Sequence, residues 1–241
     1  MTRVVVTGAA GAIGSRVVRR LTESDEIAEV LAVDRVGMPI MPDVATKRVD
    51  LAAGPLDSVF SGADVIVHLA SATTPGQPES AAEELDLAIT QRVLDAAGEA
   101  GVGQVVVLSS AMVYGAWAAN PVPLTEDAPI RPNPDFSWAV GRADVEQLAA
   151  EWGSRHHGAA VAILRPTAIV SDEALGVLAR VLHAARVGVA ADGDPPVQYL
   201  HIEDLAAAVV AAVTGRLDGV ANDAQDGWIS HDSLSDLEGP T

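Results

Sequence analysis

The sequence contains no cysteine, which excludes disulfides, thiolate nucleophiles and cysteine metal sites. Basic side chains are scarce, because 15 Lys and Arg stand against 33 Asp and Glu, a formal net charge of −18. Nucleic acids and anionic membranes attract clustered Lys and Arg, so we expect neither as a partner. No apolar run reaches the length of a membrane span, and the first residues enter a strand without a signal-peptide pattern. These absences predict a cytoplasmic protein.

Aromatic side chains are also few, at 3% of the 241 residues, whereas hydrophobic residues make up 49%. The core must therefore consist of small aliphatic side chains, which suit helices packed on a parallel sheet. Lys47 is the single lysine, and Tyr114 and Tyr199 are the two tyrosines, which limits the side chains that could transfer a proton. His156 and His157 are adjacent on a helix end and point in different directions, so we expect no metal site.

Short apolar segments alternate with helical patterns along the chain. Strands are predicted at Arg3–Thr7, Val30–Val33, Lys47–Val49, Val65–His68, Gln104–Leu108, Ala160–Leu164 and Val197–Ile202. Helices are predicted after Gly14, from Leu85 to Ala96, from Phe136 to Arg155, from Leu175 to Ala185 and from Glu203 to Val213. This alternation predicts an α/β fold, a doubly wound Rossmann-type parallel sheet whose carboxyl edge binds ligands.

Residues 1–218 are predicted to form a single Rossmann-type domain. We expect residues 115–135, rich in proline, and residues 167–200 to contribute the substrate-binding elements, the latter as a small C-terminal portion. Residues 219–241 are polar, acidic and aperiodic, which predicts a partly mobile tail.

The first strand is followed by a glycine-rich turn that opens a helix. Gly8 permits the tight turn, Gly11 lets the backbone approach a pyrophosphate, and Gly14 lets the helix pack on the strand. The helix N-terminus then directs its free N–H groups at the phosphates. The remaining residues expected to contact the cofactor in this loop are Ala10, Ala12 and Ile13.

Two strand ends are predicted to hold the adenosine half of the cofactor. Asp34 ends the second strand, where a carboxylate accepts hydrogen bonds from the ribose and favours NAD. Arg35 follows directly, and an arginine at that turn can hold a 2′-phosphate, so NADP stays open. Asp50 and Leu51 follow the third strand and are expected beside the adenine ring.

The chain resembles the extended short-chain dehydrogenase/reductases, the NAD-dependent epimerases, dehydratases and reductases of sugars and ketones. The resemblance rests on the glycine spacing, Asp50-Leu51, His68–Ser71, Leu108–Gly115, Leu164–Pro166 and Tyr199–Leu205. It implies a nicotinamide dinucleotide as cofactor, with Ser110 at the position of the family's catalytic Ser or Thr and Asp204 capping its helix. It also implies that the nicotinamide channel is lined by Leu69, Ala70, Ser71 and Pro166.

The sequence departs from this family where a catalytic tyrosine and lysine are expected. Trp138 occupies the tyrosine position and Arg142 the lysine position, one helical turn apart on the same face. An indole N–H donates a hydrogen bond but is no usable acid, and arginine keeps its proton. Arg142 can still bind the ribose hydroxyls of the cofactor, and Trp138 can stack on a flat substrate.

Three functions remain open at this stage. The first is an atypical NAD(P)H-dependent ketoreductase in which Ser110 binds the carbonyl oxygen and a phenol of the substrate supplies the proton. Flat ketones of aromatic polyketides suit this chemistry, with Trp138 and Trp117 as the walls of the substrate pocket. The chain is similar to the tailoring ketoreductases of angucyclinone biosynthesis.

The second function is an epimerase, dehydratase or reductase of sugars or small carbonyl compounds with Tyr114 as the acid. The third is a non-catalytic dinucleotide sensor or interaction protein. We expect Tyr199 and His201 to be packing residues. A homodimer through the helices at 79–100 and 136–155 is the further partner that the resemblance implies.

Overall fold

The computed structural model of the protein describes residues 2–39, 41–72, 80–172 and 197–229. The strands are β1 (Thr2–Thr7), β2 (Ile27–Asp34), β3 (Ala45–Arg48), β4 (Val65–His68), β5 (Gln104–Leu108), β6 (Ala160–Pro166), β7 (Ala168–Val170), β8 (Tyr199–His201) and β9 (Gly219–Asp223). The helices among these residues are α1 (Ala12–Thr22), α2 (Asp57–Phe60), α3 (Ser80–Glu99), α4 (Ser137–Arg155) and α5 (Ile202–Thr214). A 3₁₀ turn covers Ala111–Tyr114.

One parallel sheet of seven strands has the order β3-β2-β1-β4-β5-β6-β9. Its inner strands are continuous runs of Val, Ile, Leu and Ala that are buried on both faces, as parallel strands covered by helices must be. Helices α1 and α5 pack on one face, and α2, α3 and α4 on the other. The predicted α/β fold with a doubly wound Rossmann sheet is confirmed.

The strand order separates the positions predicted for adenosine from those predicted for the nicotinamide and the substrate. β2 and β3 lie on one side of β1; β2 ends at Asp34, and Asp50 follows two residues after the end of β3, so both acidic positions predicted for adenosine lie there. β4, β5 and β6 lie on the other side and end at the positions predicted for the nicotinamide and the substrate. Right-handed crossovers bring all of these strand ends to the same edge.

The predicted tail boundary at residue 218 is wrong, because Gly219–Asp223 form β9, the edge strand beside β6. Its register runs from Ala162 opposite Gly219 to Pro166 opposite Asp223. Glycine, asparagine and aspartate have low strand propensity, so the local sequence gave no sign of a strand that only pairing with β6 stabilises. The predicted helix at 175–185 and residues 230–241 lie outside the described residues.

The late strand predicted at 197–202 is shorter and does not join the main sheet. β8 pairs in parallel with β7, a strand that the sequence pattern did not predict, in a separate two-stranded sheet. Residue Val197 instead forms an isolated bridge with Ile229. β7 directly follows β6, so this small sheet extends from the carboxyl edge of the main one.

Within the described ranges, no helix combines the length and the apolar character needed to cross a bilayer. Helices α3 and α4 pack side by side on one face of the sheet. The homodimer expected through these two helices stays a prediction.

Candidate active site

The glycine loop joins β1 to α1 and leaves no room for side chains. Gly8 has a φ of +72°, and a Cβ atom there would lie 2.5 Å from the backbone nitrogen of Ala70. A Cβ atom on Gly14 would collide with the carbonyl oxygen of Gly8. Gly11 caps α1 without any side-chain hydrogen bond, so no side chain competes for the N–H groups of the first turn. The loop is therefore a cradle that fits a phosphate group.

Asp34 connects the end of β2 to this loop. One carboxylate oxygen accepts a hydrogen bond from the backbone N–H of Ala10 at 3.0 Å, and the other accepts one from Val36 at 3.1 Å. A carboxylate has further lone pairs, so Asp34 can hold the loop and still accept from a ribose hydroxyl. The side chain of Arg35 is exposed, and its carbonyl oxygen accepts a hydrogen bond from Arg48 at 2.8 Å.

The loop after β3 is braced by an arginine that the sequence reasoning did not single out. Asp50 accepts a hydrogen bond from the backbone N–H of Ala52 at 2.9 Å, and Leu51 is buried. Arg92 of α3 donates to the carbonyl oxygens of both Ala52 and Gly54. The loop that is predicted to contact adenine is thus anchored to α3.

His68, at the end of β4, is buried in a directed chain of hydrogen bonds. Thr90 donates its hydroxyl proton to the carbonyl oxygen of Asp86, so the ring Nε2–H of His68 donates to Thr90 at 3.1 Å. Nδ1 then accepts from the Thr7 hydroxyl at 2.8 Å. Burial, and next the positive charge of Arg142, lower the pKa of His68 to about 4. His68 is therefore neutral at physiological pH and cannot act as a general acid there.

Trp138 and Arg142 lie on one face of α4, as their spacing predicted. The guanidinium carbon of Arg142 is 5.8 Å from the centre of the Trp138 ring, whose other neighbour is Phe136 at 5.9 Å between ring centres. Arg142 forms an ion pair with Asp86 of α3, and the second oxygen of Asp86 accepts from the backbone N–H of Ala72 at 2.8 Å. Burial lowers the pKa of Arg142 to about 10, so it stays a cation.

Ser110 follows β5 and opens the 3₁₀ turn, where its hydroxyl oxygen accepts from the backbone N–H of Met112 at 3.2 Å. The preceding Ser109 donates to the carboxylate of Glu146, which lies on α4. That carboxylate accepts two hydrogen bonds from Arg165, at 2.9 Å from Nε and 2.7 Å from Nη2. Glu146 therefore fixes the end of β5, the end of β6 and α4 relative to one another.

Tyr114 is part of the same buried network and is 2% exposed. Its hydroxyl donates to Asn222 of β9 at 2.6 Å and accepts from Arg165 at 2.7 Å. Asn222 in turn donates its backbone N–H to the carboxylate of Glu126 at 2.8 Å. Burial alone would lower the pKa of Arg165, but the hydrogen bonds with Glu146 and Tyr114 raise it above its ordinary value. The Tyr114 hydroxyl thus joins β9 to Arg165, and its candidate role as an acid stays a prediction.

The N-terminus of α5 is not capped by Asp204, although the resemblance implied it. His201 is the N-cap residue, and its ring nitrogen accepts from the backbone N–H of Glu203 at 3.3 Å. Asp204 lies in the first turn and accepts from the side chain of Gln225 at 3.0 Å, so its predicted capping role is wrong. Burial, and then the charge of Asp204, raise the pKa of neighbouring Asp223 to about 6.

The residues present fit a nicotinamide dinucleotide. At Gly8 and Gly14 the loop packs so closely on neighbouring backbone that neither position has room for a Cβ atom. At the other end, the Nε of Arg142 is buried and has no hydrogen-bond partner among the described residues, so it is a donor that can bond a ribose hydroxyl. Leu69, Ala70 and Ser71 follow β4 between these two points, and Pro166 ends β6.

The sequence reasoning did not single out two buried carboxylates and one arginine that brace the candidate site. Asp86, Glu146 and Arg92 all contact site segments that are distant in sequence. A local signal existed for Asp86, because it lies one turn from Thr90 on the stripe that continues through buried Val93. In the described part of the chain, no group of three His, Asp or Glu side chains could hold a metal ion.

Comparison with known proteins places this site in a family. A sequence profile of the NAD dependent epimerase/dehydratase family matches residues 4–224. A dTDP-glucose 4,6-dehydratase of Streptomyces antibioticus is 32% identical in an alignment of length 227 that covers 83% of this chain and 65% of that protein. Another, of Streptomyces griseus, is 29% identical in an alignment of length 258 that covers 98% of this chain and 77% of that protein.

Among solved structures, MoeE5 in complex with UDP-glucuronic acid and NAD is 29% identical. The alignment has a TM-score of 0.81 and covers 98% of this chain and 82% of MoeE5. The family's dependence on NAD agrees with the expected cofactor, while the choice between NAD and NADP stays a prediction. The chain therefore belongs to the NAD dependent epimerase/dehydratase family.

Proposed function

We propose that the chain is an NAD(P)H-dependent ketoreductase that reduces flat polyphenolic ketones with the help of a proton from the substrate. The observation that carries this proposal is the pair Trp138 and Arg142, which stands where a tyrosine and a lysine are expected. Neither side chain releases a proton at neutral pH. The proton must then come from another source, and a phenol beside the ketone is the simplest one.

The chain's own residues perform the binding and orientation in this reaction. When bound, the reduced nicotinamide supplies a hydride to the carbonyl carbon of the substrate. Ser110 is the hydroxyl at the end of β5 that can donate a hydrogen bond to the carbonyl oxygen. That oxygen takes the proton of the neighbouring phenol, and the phenolate regains a proton from water. The products are a secondary alcohol and the oxidised cofactor, so the reaction balances.

Three side chains that follow Ser110 in the sequence suit a flat apolar substrate. Met112 is 49% exposed, two residues after Ser110. Trp117 is 40% exposed, and its indole N–H donates to the carbonyl oxygen of Arg131. Trp138 is half-buried. Accessible aromatic and thioether side chains of this kind favour stacking on planar rings.

A second candidate is an epimerase, dehydratase or reductase of sugars, as the names of the two Streptomyces relatives indicate for those proteins. In this chain it would require Tyr114 as the acid. The hydroxyl of Tyr114 already bonds Asn222 and Arg165 and is buried. Elimination of water also needs carboxyl or phenol groups beside the substrate, and the turn after Ser110 offers Ala111 and Met112.

The decisive experiment compares two substrates and two variants. One substrate is a planar ketone with a free phenol beside the carbonyl, and the other is its O-methyl ether; oxidation of NADH and NADPH is followed optically. We expect the ether to react at least about a hundredfold more slowly, because general acid assistance is worth that much. Trp138→Phe and Tyr114→Phe should both retain ketone reduction.

Equal turnover of the two ketones would disprove protonation by the substrate. Loss of activity in Trp138→Phe, with cofactor binding intact, would show that the indole takes part in the reaction. Loss in a stable Tyr114→Phe variant would favour the second candidate. A protein that binds the dinucleotide but oxidises none of it with any ketone would be a sensor.

A further inference from the structure

The ion pair between Arg142 and Asp86 is buried between α4 and α3. The two side chains are 10% and 3% exposed. Because the second oxygen of Asp86 accepts from the backbone N–H of Ala72, one carboxylate joins α4 to the segment that follows β4. Both oxygens of Asp86 are thus committed, one to a cation and one to the backbone.

By the strand order, this pair lies on the side of the sheet edge to which the nicotinamide half of a bound dinucleotide would extend. Asp34 marks the adenosine side, because it ends β2 and bonds the glycine loop at Ala10. On the opposite side of β1, the backbone at Ala70 passes directly over Gly8, and Ala72 follows it. A dinucleotide held at Asp34 that crosses the glycine loop would therefore extend over β4 and β5 toward Arg142.

The charges of the pair cancel in a region that holds no other ionised partner among the described contacts of the two residues. His68 faces Arg142 from β4 and is neutral, because burial and the charge of Arg142 lower its pKa to about 4. Thr90 and Thr7, which bond His68, carry no charge. A single lysine or arginine at this place would leave one positive charge, whereas the pair leaves none.

The net charge beside the nicotinamide matters because its ring is positively charged when oxidised and neutral when reduced. An unpaired cation would repel the oxidised ring and favour the reduced one. We propose that Asp86 sets the preference of this site between oxidised and reduced cofactor by neutralising Arg142, so that both forms bind with similar affinity. The proposal rests on the dinucleotide site and is independent of the ketone substrate.

The test measures the dissociation constants of NAD⁺ and NADH separately by titration calorimetry at mildly alkaline pH. Asp86→Asn should raise the ratio of the NAD⁺ constant to the NADH constant about fivefold, as expected for one unit charge several ångströms away in a partly wetted cleft. Arg142→Gln should lower the ratio by about the same factor. The double variant, which is again uncharged, should return to the wild-type ratio. Asp95→Asn changes an exposed aspartate of α3 and is the control.

An unchanged ratio in folded Asp86→Asn would overturn the proposal, and so would a double variant that differs from wild type. If Asp86→Asn does not fold, Arg142→Gln and the double variant decide the question by the same ratio. A further outcome is a chain that reduces no ketone while the ratio of the NAD⁺ constant to the NADH constant still rises in Asp86→Asn and falls in Arg142→Gln. That outcome would refute the proposed function and support the role of Asp86.

Discussion

His68 makes the stability of this protein depend on pH in a way that its structure quantifies. The imidazole is 3% exposed, and both ring nitrogens are hydrogen-bonded to threonines. Its pKa is about 4 in the folded protein, against 6.5 for an unperturbed histidine. The unfolded chain therefore binds the proton more readily than the folded one. The stability that neutral His68 permits is fully present above pH 6.5 and is lost as the pH falls toward 4.

The size of the loss follows from the two pKa values. Proton linkage gives about 0.8 kcal/mol lost at about pH 6, about 2 kcal/mol at about pH 5 and about 3 kcal/mol at about pH 4. A domain of this size is stabilised by about 5–15 kcal/mol, so the effect is measurable well before the protein unfolds. It is also local, because it depends on the burial of one ring beside Arg142.

The assay is urea unfolding at about pH 7 and about pH 5, for wild type, His68→Asn and the exposed control His157→Asn. The difference between the two pH values contains contributions from all carboxylates, which are common to the three proteins. Wild type and His157→Asn should each lose about 2 kcal/mol more than His68→Asn. If His68→Asn loses as much as wild type, His68 is not held neutral by burial and the reasoning fails.

Two further changes test the buried braces of the site. Glu146→Gln should lower the free energy of unfolding in urea by about 3–5 kcal/mol, because it leaves Arg165 buried without its counter-charge. The control Asp144→Asn, at an exposed position of the same helix, should change this free energy little. A small effect of Glu146→Gln would contradict the role of the network. Arg92→Lys should weaken NAD binding about threefold to tenfold by loosening the loop at Ala52, because lysine cannot bridge two carbonyl oxygens as arginine does. The affinity for nicotinamide mononucleotide, which lacks adenosine, should not change; equal loss for both ligands would refute an adenine-side role.

The features that could be predicted are those that depend on the local sequence pattern. The glycine turn, the apolar strands and the one-turn spacing of Trp138 and Arg142 follow from residue spacing alone, and the structure places them as expected. Within the helix predicted from Leu85 to Ala96, the apolar Leu85 is 43% exposed while the polar Asp86 is buried. Hydrophobic periodicity assigns polar residues to the surface, so it misplaces a buried carboxylate that has a distant partner.

The unpredicted part depends on contacts between distant segments. Glu146 and Arg165 are 19 residues apart and meet only when α4 packs against β6. β9 is held by its register with β6 and by the bond of Asn222 to Tyr114, neither of which leaves a trace in the local sequence. The same holds for Arg92, whose partners lie about 40 residues earlier in the chain.

β9 also has a consequence for the order in which the protein can become functional during its synthesis. The ribosome releases β1 to β6, with the whole glycine loop, before it releases residues 219–223. Until then Tyr114 lacks Asn222, and the carboxylate of Glu126 lacks the backbone N–H that it accepts from. A nascent chain that ends before β9 can therefore form the phosphate cradle early, but it can complete the surroundings of Ser110 only after this last described strand has emerged.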